Sequence, residues 1–245
     1  NLAFAFRGYN TTNLGRSNEL LNHPTYGPLV EEKLRAASSC CGKITGKSID
    51  LVARVQQQQE TDLQSYDEAV ALIVAMELAQ IQLLETYFDI QLKSAQLSLG
   101  YSLGEIVALT AGDALTMEDA LTVPISLAED CVALAADVTL GILLTRKAPL
   151  SIEDVTRGCL QINAEGKGIV GPSAFLSPNS MLLMGQRDSL DRLQGWLKKN
   201  HSGVTSLRKN KQQWPPLHTP IVWERQIPDR AAYLMHTLSG GFSAP

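Results

Sequence analysis

Cysteine is scarce in this 245-residue chain, four in all, and its arrangement excludes two common uses. Cys40 and Cys41 are adjacent, while Cys131 and Cys159 stand apart. No C-x-x-C pair offers zinc-ligand spacing, and four thiols are too few to staple a domain of this length. Packing roles in a reducing, cytoplasmic compartment are expected, with no metal and no bound cofactor. A surplus of positive charge is also missing: 21 Lys and Arg stand against 25 Asp and Glu, a net charge of −4. Nucleic acid, which calls for many phosphate-neutralising cations, is therefore not an expected partner. Long apolar runs are missing too. The longest, Ala69 to Met76, is closed by Glu68 and Glu77 and falls short of the roughly 20 residues of a membrane-spanning helix. A soluble chain with no membrane partner is expected, and no basic-then-apolar segment at the start reads as a signal peptide. What the chain does have is 44% hydrophobic residues, enough for one sizeable core or two small ones.

The periodicity divides the chain into two styles. Leu2 to Phe6 reads as a buried strand running into a loop at Gly8 and Asn10. Pro28 to Ala37, Ser48 to Gln57 and Asp67 to Tyr87 have helical spacing, the last apolar nearly all round, as a core helix should be. The run Gln56 to Gln59 reads as a solvated helix end. From about residue 133 the elements shorten. A strand at Leu140 to Leu144 is followed by a helix opened at Ser151-Ile152-Glu153-Asp154, which has the form of a capping box. Strands around Ala174 to Leu176 and Met181 to Met184 flank the turn Ser177-Pro178-Asn179-Ser180. A helix capped by Asp188 and a strand at Val204 to Leu207 complete the series. Strand, helix, strand, strand, helix, strand is the order of a ferredoxin-like α+β unit.

Two glycine motifs invite functional readings. Gly42-Lys43-Ile44-Thr45-Gly46-Lys47-Ser48 has the wrong spacing for a phosphate-binding loop, since the first glycine would have to stand at Cys41, and no strand precedes it. Gly100-Tyr101-Ser102-Leu103-Gly104 is a G-x-S-x-G sequence in the setting its chemistry needs. Leu97-Ser98-Leu99 supplies a strand before it and Glu105 to Leu109 a helix after it. Such a nucleophile elbow lifts a serine from a tight strand-to-helix turn, where glycines two residues to either side avoid collision with the crossing backbone. Ser102 would then stand at a helix N-terminus, where the Leu103 amide can donate to an oxyanion. A glycine-rich helix cap is the structural alternative. Of the four histidines, His23 lies in an early polar loop and His201 follows two lysines at a helix end. His236 carries no motif. His218, in Trp214-Pro215-Pro216-Leu217-His218-Thr219-Pro220, is the best-placed general base, 116 residues after Ser102, with a structural role in that rigid loop as the alternative.

Together these residues resemble the family of malonyl-CoA:acyl-carrier-protein transacylases and polyketide-synthase acyltransferase domains. The family elbow, G-H-S-L-G-E, is followed by an alanine-rich helix and a short acidic turn. It is matched by Gly100 to Leu109 with Glu118-Asp119-Ala120-Leu121 beyond. Phe6-Arg7-Gly8-Tyr9-Asn10 stands where the family has F-P-G-Q-G, and Leu217-His218-Thr219-Pro220 stands where it has its catalytic histidine. The resemblance spans essentially the whole chain. It implies an α/β fold in which a hydrolase-like large subdomain with a parallel sheet is interrupted by the ferredoxin-like unit. The large subdomain would take 1–132 and 214–245, with a longer C-terminal segment expected to complete it, and the small one 133–213.

The resemblance further implies that Ser102 and His218 act as a dyad, the histidine being oriented by backbone carbonyls, and that the amides of Leu103 and Tyr9 form the oxyanion hole. The implied chemistry is ping-pong transfer from acyl-CoA through an acyl-serine to the phosphopantetheine thiol of an acyl carrier protein. Three departures shape the substrate pocket: Tyr101 for the elbow histidine, Arg7-Gly8-Tyr9 for P-G-Q, and Leu127 where malonyl-selective members carry a carboxylate-gripping arginine 25 residues after the serine. An uncharged acyl group is expected, or one anchored elsewhere, Arg7 being the nearest candidate. Lys198, Lys199, Arg208, Lys209 and Lys211 form a basic cluster suited to steering an acidic carrier, or simply a solvated face. Two other functions compete: a thioester hydrolase using the same dyad, and a degenerate domain kept for docking.

Overall fold

The computed structural model describes residues 2–146, 149, 151–200, 204–210 and 212–238. The chain forms two compact units, one comprising Asn1–Ala128 with the chain from Ala231 on, the other Glu129–Arg230.

The first unit opens with strand β1 (Ala3–Phe6), helix α1 (Leu14–Leu21) and helix α2 (Gly27–Thr45). Short helix α3 (Leu51–Gln56) follows, then α4 (Tyr66–Phe88), β2 (Leu97–Gly100), α5 (Leu103–Ala111) and α6 (Met117–Ser126). Polar side chains set the helix starts. Asp50 accepts the Ala53 amide at 2.9 Å to cap α3, and Thr116 accepts the Asp119 amide at 3.1 Å to cap α6. Such caps contribute about 1 kcal/mol each. Glu60 accepts the Leu14 amide at 2.8 Å and the Thr12 hydroxyl at 2.6 Å, so the segment after the glutamine run caps α1 from a distance. Helix α4 is the core, with Ala69 to Met76 buried without interruption, packed against α2, α5 and α6. Although its uninterrupted apolar run is short, Leu63–Phe88 as a whole is long and apolar enough to cross a membrane, which corrects the estimate made from the run alone. Burial of its central residues against neighbouring helices accounts for that composition.

The Gly42–Ser48 motif lies at the C-terminal end of α2, with Gly46 in the left-handed region (φ 71°) as its cap. A phosphate cradle needs a helix N-terminus, and this is the opposite end. Strands β1 and β2 pair in parallel with Phe6 opposite Gly100. Their register sets Ala3, Ala5, Leu97 and Leu99 on one exposed face.

The second unit begins within α7 (Ala128–Leu134) and continues through β3 (Val138–Thr145), α8 (Ile152–Asn163), β4 (Val170–Ser177), β5 (Ser180–Gln186), α9 (Ser189–Asn200) and β6 (Val204–Lys209). Its four strands form an antiparallel sheet in the order β4-β5-β3-β6, the expected ferredoxin-like arrangement. Leu143, Val155, Ile162, Met181, Leu183, Leu190, Leu193 and Leu197 fill the core between the sheet and its two helices. Beyond β6 the chain carries the His218 loop, a 3-10 turn at Pro220–Arg225 and α10 (Ile227–Thr237). Residues 214–230 were expected with the large subdomain but belong to the second unit. The physical reason is a set of contacts to β4 and β5: the Ser173 hydroxyl donates to Leu217 O at 3.3 Å, and Gln186 donates to both Glu224 oxygens at 3.0 and 3.1 Å.

All four cysteines are free thiols. Burial pushes Cys41 and Cys159 up to about 12 and Cys131 up to about 11, with neighbouring carboxylates adding to the effect at Cys41 and Cys131. They pack as apolar side chains and carry little thiolate.

Candidate active site

The serine motif folds as a strand–turn–helix elbow. Strand β2 ends at Gly100, the Tyr101 amide donates to Phe6 O at 3.1 Å, and the Gly104 amide donates to Tyr101 O at 2.9 Å. Ser102 occupies the first central position of that turn with φ 55° and ψ −116°. This is type II′ geometry, which glycine normally supplies. A serine held there is strained by about 1–3 kcal/mol, and such strain clusters at functional sites.

The flanking glycines are sterically required. A Cβ on Gly100 would lie 2.1 Å from the Glu105 nitrogen, and one on Gly104 would lie 2.2 Å from Phe6 O. Because neither carries a side chain, α5 can cross close over β1 and present Ser102 at its N-terminus. Leu103 opens α5, so its amide is among those a helix leaves without an internal acceptor, in the positive end of the helix dipole. Ser102 is half-buried, the Leu103 side chain is buried, and Tyr101 is 53% exposed beside it.

Across from the elbow, Phe6-Arg7-Gly8-Tyr9 leaves the end of β1. A Cβ on Gly8 would lie 2.8 Å from Tyr101 O and 3.4 Å from Ser102 Cβ, which sets this loop against the serine. The Tyr9 ring meets Tyr66 edge-on at 4.8 Å, and burial, then the Asp62 charge, push its phenol upward. Tyr9 is thereby held neutral, with its side chain engaged in packing. The Arg7 guanidinium is exposed and donates to Thr11 O at 2.9 Å. Leu127, the residue that caps the end of α6, is 3% exposed.

One residue in this region escaped the sequence reading. Glu77, seen there only as the end of an apolar run, accepts the Arg7 amide at 2.9 Å through Oε1. Burial pushes its carboxyl above the usual range, opposed by that amide and by the Arg7 charge. The available signal was a carboxylate one helical turn beyond Ile73, where the buried apolar stretch of α4 ends.

His218 belongs to the second unit, where it is exposed with φ 65°, a left-handed conformation. Pro215 and Pro216 are buried on one side of it, and on the other Thr219 is buried and donates to Pro216 O at 2.6 Å. Of the basic cluster, Lys198 and Lys199 close α9, where cations complement the helix C-terminus, and Arg208 is exposed on β6. Lys209 is ion-paired with Asp191 at 2.6 Å, and Lys211 lies outside the described residues, as does His201.

A strained serine on a Gly-flanked strand-to-helix elbow, in a chain that also carries a ferredoxin-like unit, defines an α/β fold with a separate small α+β unit. Among solved structures, that fold is found in malonyl-CoA:acyl carrier protein transacylases and polyketide synthase acyltransferase domains. The chain is similar to the transacylase FabD of Xanthomonas oryzae, at 22% identity and a TM-score of 0.73, covering 98% of this chain and 69% of that one. It is similar to MCAT from Streptococcus pneumoniae at 22% identity and a TM-score of 0.74, covering 99% and 72%. A third is the malonyl-transacylase of a type II polyketide synthase in complex with its acyl-carrier protein, at 22% identity and a TM-score of 0.72, covering 98% and 71%. No protein-family model and no curated protein matches the chain. The resemblance drawn from the elbow and the opening motif is thus met at the level of fold.

Proposed function

We propose that this protein is an acyltransferase that carries an acyl group on Ser102 from acyl-CoA to the phosphopantetheine thiol of an acyl carrier protein. The strained elbow carries the reading: Ser102 sits in a glycine-type conformation at a helix N-terminus, between two glycines that admit no side chain. Ser102 Oγ attacks the thioester carbonyl while His218 takes its proton. The carbonyl oxygen becomes an oxyanion received by the Leu103 and Tyr9 amides. Each such donor typically contributes about 2.7–4 kcal/mol of transition-state stabilisation. Collapse breaks the C–S bond, and CoA leaves as the thiol with the proton returned from His218. The carrier thiol then repeats the cycle in reverse, its proton passing to His218 and on to Ser102 as the acyl group transfers.

Leu127 favours an uncharged acyl group, because a carboxylate beside a buried leucine would be desolvated without a partner. The Arg7 guanidinium, donating to Thr11 O, is the alternative anchor. Carrier docking falls to Lys198, Lys199 and Arg208, since Lys209 is paired with Asp191. The test is a two-stage incubation. Protein acylated with acetyl- or longer acyl-CoA should hold its adduct in buffer and lose it when a holo carrier protein is added. Loss in buffer alone would make the protein a thioester hydrolase, and preferential loading from malonyl-CoA would overturn the specificity. Reversing Lys198 and Lys199 to Glu should slow transfer while leaving self-acylation intact.

A further inference from the structure

We propose that Glu77 is a positioning residue for the loop that supplies the second oxyanion donor, an inference that rests on the acyltransferase reading above. The loop from Phe6 to Tyr9 is fixed on its elbow side by backbone contacts. Phe6 O accepts the Tyr101 amide, and Gly8 lies against Tyr101 O and Ser102 Cβ. On its other side Tyr9 packs edge-on against Tyr66 at 4.8 Å, whereas the Arg7 end borders a cavity of about 220 Å³ lined by Arg7, Thr12, Met76 and Glu77. The Arg7 peptide is held at that end by the bond from its amide to Glu77 Oε1 at 2.9 Å. Arg7 stands two residues before Tyr9, so the orientation of its peptide sets the course of the chain into the donor.

The remaining carboxylate oxygen shows that this bond is held at a cost. Glu77 Oε2 is buried with no hydrogen-bond partner among the described residues. The Arg7 guanidinium does not compensate it by a hydrogen bond, being directed to Thr11 O. A buried carboxylate that leaves one oxygen unsatisfied is a poor device for stability. It is a good device for holding one amide: a rigid core helix presents an anionic acceptor, and charge-assisted bonds of this kind are the stronger ones. α4 thus does more than fill the core, since it projects one polar group into the active-site loop.

The test uses a fluorophosphonate, whose phosphorus is attacked by Ser102 Oγ with loss of fluoride and whose phosphoryl oxygen takes the oxyanion position, so no acyl-CoA is involved. Glu77→Met keeps the volume and removes the acceptor, whereas Glu77→Gln keeps an acceptor and removes the charge. The expected result is a maximal labelling rate lowered by up to about 10²-fold in the Met variant, at unchanged half-saturating probe concentration, with the Gln variant, which keeps a weaker neutral acceptor, between Met and wild type. A Met variant labelled as fast as wild type, or a Gln variant as slow as Met, would overturn the inference while leaving Ser102 as the nucleophile. A wild-type protein that resists the probe would overturn both readings.

Discussion

Replacing Gly104 by alanine tests the elbow in a single methyl group. The new Cβ would stand 2.2 Å from Phe6 O and 2.7 Å from Arg7 O, where real Cβ contacts essentially never fall under 3.0 Å. The first residues of α5 and the end of β1 must therefore part by at least 0.8 Å, the difference between 3.0 and 2.2 Å. Both obstacles are backbone oxygens, so no side chain can rotate away. Overpacking of this kind costs about 1–3 kcal/mol. Alanine in a helix recovers roughly 0.5–1 kcal/mol over glycine, leaving a net loss of about 0–2.5 kcal/mol. Activity should suffer more, because Ser102 and the Leu103 amide ride on α5; a displacement near 1 Å can cost about 10²-fold in rate. Gly15 in α1 is the control: a Cβ there meets nothing within 4 Å, so its replacement should stabilise by roughly 0.5–1 kcal/mol. Urea unfolding followed by fluorophosphonate labelling reads both effects. If Gly104→Ala unfolds at the wild-type midpoint and labels at the wild-type rate, the steric account of the elbow is wrong.

Three further outcomes follow from the same geometry. Ser102→Gly should raise stability by about 1 kcal/mol, by relieving a serine at φ 55° and ψ −116°, while abolishing labelling; a destabilised Gly variant in urea unfolding would contradict the strain. Glu77 has its carboxyl raised by burial above 4.5, so the folded state binds the proton more tightly than the unfolded one. Its contribution to stability should decline as pH rises from 4.5 through the raised value, and Glu77→Gln should flatten that slope in unfolding measured at several pH values. The buried thiols at about 11 to 12 should resist iodoacetamide at pH 8 in the native protein and react once urea exposes them; rapid native alkylation of Cys41 or Cys159, located by peptide mass, would refute their burial.

Local chemistry explains which parts of this fold were legible. Ser151 caps α8 through its side chain, which accepts the Asp154 amide, and Asp188 stands just before α9 with its backbone carbonyl accepting the Asp191 and Arg192 amides, so both helices emerge from spacing. The elbow is legible because its glycines and its strand-to-helix switch lie within a dozen residues. Helix α2 runs on to Thr45, past the Ala37 boundary set by apolar spacing, because Cys41 continues its buried face and only Gly46 stops it. The allegiance of residues 214–230 was not legible. It depends on Ser173 meeting Leu217 and Gln186 meeting Glu224, pairs about 40 residues apart that leave no mark on periodicity.

The candidate site divides the same way. Ser102, Leu103, Tyr9 and Arg7 could be proposed from the sequence because each lies within a short motif. Leu127 was proposed by counting, and its burial is a fact of tertiary packing that counting alone does not supply. Glu77 was missed because an isolated carboxylate at the end of an apolar run reads as the edge of a core, and its acceptor role needs an amide 70 residues away.

The central claim is that Ser102 forms the acyl-enzyme. Its most direct test is intact mass after exposure to a panel of acetyl-, longer acyl- and malonyl-CoA, on wild type and Ser102→Ala side by side. The account predicts one added acyl group on the wild-type protein, located to the peptide containing Ser102, and none on the alanine variant. No adduct with any acyl-CoA, or an equal adduct on Ser102→Ala, would contradict it.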